Sequence, residues 1–307
     1  MSSLDGYTDT TSSSLGGTVG SAGLVQKAYD RLVEFELRAQ PLLRTIVDKR
    51  PANQSMPGSS VALQIYKDLT RTTEELDEVI DPDAESVATP DIVNLVLKER
   101  GKVAMSTIRL GAFSLAPIDP ALANLIAFNM ADSIDALVLE ELLNGTNVRN
   151  AGGGVDASGT IEAGDVRYVT AKLRGNKASG RKGSTYWAGI HPDVSHDLRA
   201  ENAGANWRAP HEYQDTANIY NGEIGTFEGA FFVESPRLEP VEGVYPTIFC
   251  GQQALAEAVA IEPHVVIGNV TDPLKRKMPI GWHGILGHKV YRNEALYRVE
   301  SGSSIAE

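Results

Sequence analysis

Hydrophobic positions fall into two periods along the chain, and the change from one to the other marks out its parts. Val25, Ala28, Tyr29, Leu32, Phe35 and Ala39 recur every three or four residues, the spacing of one helix face. Pro41 ends that helix, because the residue before a proline is pushed out of the α region. Beyond Met56-Pro57-Gly58 the period shortens to two, with Val61, Leu63 and Ile65 alternating with small or polar residues, as in a strand with one buried face. Ile92 to Val96, and on to Val103, has the same β-rich character. About twenty residues from Thr70 to Pro90 carry no core pattern, and a connection that long is expected to be functional or covered by a partner. We read the region as a two-stranded arm projecting from the body.

The strongest helical signal runs from Asp119-Pro120, a capping side chain and a proline where a helix begins, to Asn144-Gly145, which predicts a left-handed stop. Leu122, Leu125, Ile126, Met130, Ile134, Leu137 and Val138 trace its apolar stripe, and Leu137 is expected to be buried. Asp132, Asp135, Glu140 and Glu141 predict a flanking face too polar for burial. About twenty-five residues make a rod of roughly 37 Å. After the Gly152-Gly153-Gly154 turn a mixed region follows: helix over Glu162 to Leu173, strand over Ser184 to Ile190, helix over Pro192 to Ala200, and strand or hairpin over Gly225 to Glu234. Leu255 to Ile261 is apolar but ambiguous in type. The described pattern finishes in β, over Gly284 to Tyr291 and Ala295 to Glu300.

This order of parts predicts an α+β fold and resembles the Hong Kong 97-like capsid fold. Gly189-Ile190-His191-Pro192-Asp193-Val194, Gly222-Glu223-Ile224-Gly225, Phe227-Glu228-Gly229, Val233-Glu234-Ser235-Pro236 and Ile280-Gly281-Trp282-His283-Gly284 are similar to stretches of tailed-bacteriophage major capsid proteins, particularly those akin to the capsid protein of phage N4. The resemblance implies an N-terminal arm (1–50), an extended loop (51–109), a peripheral domain (110–155 and 272–307) with a spine helix over 119–145, and an axial domain (156–271). It further implies a non-enzymatic subunit without cofactor that assembles with itself into hexamers and pentamers of an icosahedral head, made in the host cytoplasm and enclosing double-stranded DNA. Portal, scaffold or decoration proteins are the implied partners. An encapsulin-type nanocompartment shell shares the fold, and an unrecognised soluble enzyme is the alternative of a different class.

Composition narrows the choice. With 307 residues, 42% hydrophobic, the chain is long enough for one large or two modest cores. A formal charge of −12 repels phosphate backbones and argues against sequence-specific nucleic-acid binding, while suiting a container that must not hold its DNA fast. Cys250 is the only cysteine, so no intrachain disulfide forms, and its setting in Thr247-Ile248-Phe249-Cys250 predicts a buried strand position. Met1 to Gly23 is Ser-, Thr- and Gly-rich, lacks the pattern of a secretory signal, and has too few large apolar groups to order itself; neighbouring subunits are expected to pin it. No stretch is expected to reach the length of a membrane span, and no membrane partner is expected.

Candidate chemistry is sparse. Gly175 to Ser184 resembles a phosphate loop, but Arg181 and Lys182 stand where Lys and Ser/Thr are needed, which leaves a flexible basic surface loop. The six histidines include no His-Glu-x-x-His pair. Lys67, Lys98 and Lys102 lie near the projecting arm without a motif marking them as reactive. What stands out is charge: Glu74, Glu75, Asp77, Glu78, Asp81, Asp83 and Glu85 in the loop of the arm, and the cluster Lys275-Arg276-Lys277. A second basic run comprises Lys172, Arg174, Lys177, Arg181 and Lys182. Contacts between the acidic loop of one subunit and Lys275 to Lys277 of the next are the expected assembly interface.

Overall fold

The computed structural model describes residues 39–51, 60–73, 75, 85–107, 109, 118–154, 158–201, 223–267, 272, 274 and 276–305. The helix expected over Leu24 to Ala39, the pinned arm Met1 to Gly23, and Glu74, Asp77, Glu78, Asp81, Asp83 and Lys275 lie outside the described residues, Ala39 excepted.

Among the described residues, three sheets organise the chain. The first has the order β1 (Asp48–Pro51), β10 (Leu255–Ile267), β11 (Lys277–Val290), β4 (Lys98–Thr107). The second runs β5 (Val148–Asn150), β12 (Leu296–Ser301), β9 (Tyr245–Cys250), β6 (Tyr186–Ile190), β8 (Ala230–Glu234), β7 (Glu223–Phe227). The third is the antiparallel hairpin of β2 (Ser60–Ile65) and β3 (Asp91–Val96), the expected two-stranded arm. Among the described residues three α-helices accompany them: α1 (Ile118–Leu143), α2 (Ala163–Gly175) and α3 (Pro192–Glu201).

The six-stranded sheet is buried on both faces, which is why β6 reads Tyr-Trp-Ala-Gly-Ile without a polar residue. Trp187, Phe231, Val233, Ile248, Cys250 and Leu296 point to one side, where they meet Val138 and Leu142 of α1. Tyr186, Ala188, Ile190, Phe232, Phe249 and Val299 point to the other, where α2 and α3 cover them with Val166, Val169, Leu173, Val194 and Leu198. Strand alternation thus sorts one sequence into two cores. The other half of α1 lies on the four-stranded sheet, with Ile126, Leu122 and Met130 against Ile280 and Trp282.

Because α1 serves two sheets on different sides, its apolar residues wrap the helix instead of forming one stripe. Leu122–Leu143 is therefore long and apolar enough to cross a membrane by length and composition, contrary to the expectation that no stretch would be. It also carries a carboxylate, that of Asp135, which is buried among protein groups rather than lying on the polar face expected for it. Leu137, expected in the core, is only half-buried and lines a cleft with Lys98, Arg100 and Glu140; the buried positions are Ile126, Ile134, Val138 and Leu142.

The helix ends without the left-handed glycine expected at Gly145, whose φ is not positive. That residue is small for another reason: an added Cβ would stand 2.7 Å from the side chain of Leu296. The chain crosses between the sheets more than once. Leu255–Ile267 pairs along β11 in the four-stranded sheet instead of staying with the axial strands, and Leu296–Ser301 returns to the six-stranded sheet between β5 and β9. β1 and β4, expected within the arm and the extended loop, are likewise strands of the four-stranded sheet.

Candidate assembly surfaces

The hairpin leaves the four-stranded sheet at the end where Lys98 of β4 pairs with Leu286 of β11. Leu95 anchors it, buried against Ala256 and Ala258 of β10, with Val61 and Leu63 packed alongside. Gly287 lies directly under β3, where a Cβ would collide with the carbonyl of Val96. Beyond this base the hairpin carries large apolar groups into solvent, including Tyr66, Leu69, Val87 and Ile92; Leu69 is 59% and Ile92 55% exposed. An isolated two-stranded ribbon is marginal in water, so exposed apolar groups on one are unfavourable unless something covers them.

The described part of the acidic loop is closed locally. Glu85 accepts a hydrogen bond of 2.7 Å from the Thr70 hydroxyl, and Lys67 pairs with Asp91 at 3.3 Å. Glu75 and Glu85 are both exposed. Of the basic cluster, Arg276 and Lys277 are exposed at the start of β11, where Lys277 pairs with Thr107. Arg276 is partly neutralised within its own chain by Asp272, to which its Nε donates at 2.8 Å. That hydrogen bond holds the Asp272 carboxyl below its usual range. Lys277 and Leu286 are about 30 Å apart along β11 at roughly 3.3 Å per residue. Arg276 and Lys277 therefore lie at the far end of β11 from Leu286, beside which the hairpin joins the sheet.

Two buried carboxylates fasten residues 39–51 to the body: Asp135, expected on a polar face, and Glu257, which was no site candidate. Asp135 of α1 accepts the backbone N–H of Leu43 at 2.7 Å and of Arg44 at 3.2 Å, and its other oxygen faces Arg237 Nε at 3.5 Å. Arg237 also pairs with Asp132 and donates to the carbonyl of Ala39 at 3.2 Å. Glu257 of β10 receives Arg44 Nε at 2.9 Å and stands 3.6 Å from His288 Nε2 across the β10–β11 pair. Their only sequence signal was an acid interrupting an apolar run.

The two respond to pH in opposite senses. Burial pushes the Asp135 carboxyl up, and Arg237 and the backbone donors only partly oppose this. At Glu257 burial also pushes up, but His288 and Arg44 outweigh it and the net displacement is downward. A depressed carboxyl contributes stability above its unfolded pKa and loses it as pH falls through the folded value. Glu257→Gln should therefore melt below the wild type at pH 7, and the gap in Tm should close as pH drops below about 4. A gap that persists unchanged to pH 3 would show that the charge of Glu257 is not what stabilises.

The remaining candidates resolve into structural roles. Arg181, in the loop resembling a phosphate site, is pinned rather than flexible: it pairs with Asp48 at 2.9 Å and donates to the carbonyl of Gly251 at 3.2 Å. Cys250 is fully buried at the end of β9, and burial pushes its thiol up to about 11. Phe227-Glu228-Gly229, one of the segments carrying the resemblance, forms the β7–β8 turn with positive φ at Glu228 and Gly229, the geometry of a two-residue hairpin. Among the described residues no group of three or more His, Cys, Asp or Glu side chains could hold a metal.

Comparison with known proteins decides the fold. Residues 156–297 match the family model described as phage capsid protein. The capsid of Ralstonia phage GP4 superposes with a TM-score of 0.76 over 100% of both chains at 11% identity. The fold is that of a tailed-phage capsid protein. The capsid of cyanophage P-SCSP1u shares this capsid fold with a TM-score of 0.70 at 11% identity, over 94% of this chain and 96% of that one. A chain from Mycobacterium phage Che8 shares it at 0.67 and 15% identity, over 90% and 96%. No curated protein matches.

Proposed function

We propose that the chain is a major capsid protein, a structural subunit that assembles into the hexamers and pentamers of an icosahedral phage head enclosing double-stranded DNA. The observation that carries this reading is a subunit of capsid fold whose hairpin bears large apolar side chains exposed on its own chain. The family match and the capsid structures favour this reading over the nanocompartment and enzyme readings. The acidic balance suits a wall that encloses DNA without adhesion. Portal, scaffold or decoration proteins would complete the head. Sedimentation of the purified chain under assembly conditions should give particles far larger than the 33.0 kDa subunit. A species that stays monomeric or dimeric in every condition would overturn the proposal.

The same reading keeps the charged interface as a proposal between copies. Lys277 starts β11 at the end far from Leu286, beside which the hairpin joins, and a contact between the acidic residues of one copy and the basic cluster of the next would be head-to-tail, the heterologous kind that closes rings. Each exposed pair is worth only about 0–1 kcal/mol, so the effect belongs to assembly rate and register. Reversing Lys275, Arg276 and Lys277 to Glu should leave a folded subunit that assembles poorly, with partial rescue when Glu74, Glu75 and Glu78 become Lys. Normal assembly of the reversed variant at low salt would remove the interface.

A further inference from the structure

The exposed face of α2 carries a positive patch on a chain whose formal charge is −12. At its centre stands Tyr168, 38% exposed, with the guanidinium of Arg149 4.0 Å and the ammonium of Lys172 5.4 Å from its ring centroid. Arg149 is fixed from behind, its Nε donating at 2.8 Å to the buried carboxylate of Asp165. Lys172 and Arg174 in the last turn of the helix, and Lys177 just past it, have no carboxylate partner among the described residues. An exposed aromatic ring with cations held on it has the composition of an interface anchor.

The turn between β8 and β9 has the opposite character. The chain reverses at Glu242-Gly243, both with positive φ, and the backbones of Val241 and Val244 exchange two hydrogen bonds of 3.0 Å. This is the closed two-residue hairpin turn that such φ values favour. It holds Val241 69% exposed between Glu239 and Glu242, and neither acid has a cation partner among the described residues. An apolar side chain held out in water by a stiff turn gains by being covered, and little order is lost when it is.

We propose that this turn docks on the Tyr168 patch of a second copy, with Val241 against the ring and Glu239 and Glu242 against Lys172, Arg174 and Lys177. The sheet register keeps the two surfaces apart on one chain. Arg149 stands level with Val299, and Val299 with Thr247, so the patch lies two strands, roughly 10 Å, to the side of β9. The turn lies a further three residues, roughly 10 Å, beyond Thr247 along that strand. Two unlike surfaces offset on one subunit meet head to tail, and repetition of such a contact closes a ring. Opposite charge sets the register of the pairing and selects the patch from a surface that is mostly acidic. The contact presupposes the shell subunit proposed above.

Assembly kinetics followed by light scattering, together with carbodiimide cross-linking of finished particles, test it. Particles assembled from mixed isotope-labelled and unlabelled wild-type chains should yield cross-links that join Glu239 or Glu242 of one copy to Lys172 or Lys177 of another. Lys172→Glu with Lys177→Glu should slow assembly at least about tenfold at low salt, Glu239→Lys with Glu242→Lys should do the same, and joining all four should restore most of the rate. All four positions are exposed, so each variant should melt close to the wild type. Slowing in the basic variant alone would mean that the patch holds some other anion and would overturn the pairing, as would particles without the cross-link. Normal assembly of both double variants would overturn it while leaving the shell reading intact; a wild type that forms no particles removes both.

Discussion

Val138→Asp yields no folded protein. Val138 is fully buried where α1 meets the six-stranded sheet, in one cluster with Trp187, Phe231 and Leu296. A carboxylate there has no cation or donor supplied by its surroundings, and an unpaired buried charge costs several kcal/mol, a large fraction of the roughly 5–15 kcal/mol that holds a domain folded. Leu137→Asp is the control. Its neighbour in sequence is turned toward the cleft with Lys98 and Arg100, so the new carboxylate meets water and cations, and the variant should remain folded. Circular dichroism and soluble yield separate the two; equal behaviour of both variants would mean that α1 is not oriented as described.

Ile92→Glu combined with Leu69→Glu should do the reverse, leaving the subunit folded and abolishing shells. Both side chains are exposed on the projecting hairpin, and surface substitutions of this kind usually change stability by less than about 0.5 kcal/mol. In a shell, however, the same contact recurs at every boundary between subunits, so a small loss per contact is multiplied across the particle. Melting should shift little while sedimentation shows only small species. Shells of normal yield would show that the exposed apolar residues of the hairpin are not the assembly surface.

The parts of the fold legible in the sequence were those where one period dominates a long run. α1 was read to within two residues at either end, and the hairpin was read from the alternation at Val61, Leu63 and Ile65. What stayed hidden depends on contacts between distant residues. Nothing local distinguishes Asp135, buried against Leu43 and Arg237, from Asp132 three residues before it, which keeps partial contact with water. Gly145 is small because of Leu296, a neighbour 151 positions away in sequence. Strand partners such as Asp48 with Ala256 likewise leave no trace in the local pattern. Of the basic cluster, the charge was legible but not the partner that Arg276 already has in Asp272.

The central claim is that this chain builds a shell from copies of itself. Electron cryomicroscopy of the assembled protein tests that most directly, because it reads symmetry and contacts together. Closed icosahedral particles are expected, with density that resolves rings of five and six subunits and each hairpin of residues 60–96 lying on a neighbouring subunit. Uniform small particles, or shells in which every hairpin stands free in solvent, would contradict it.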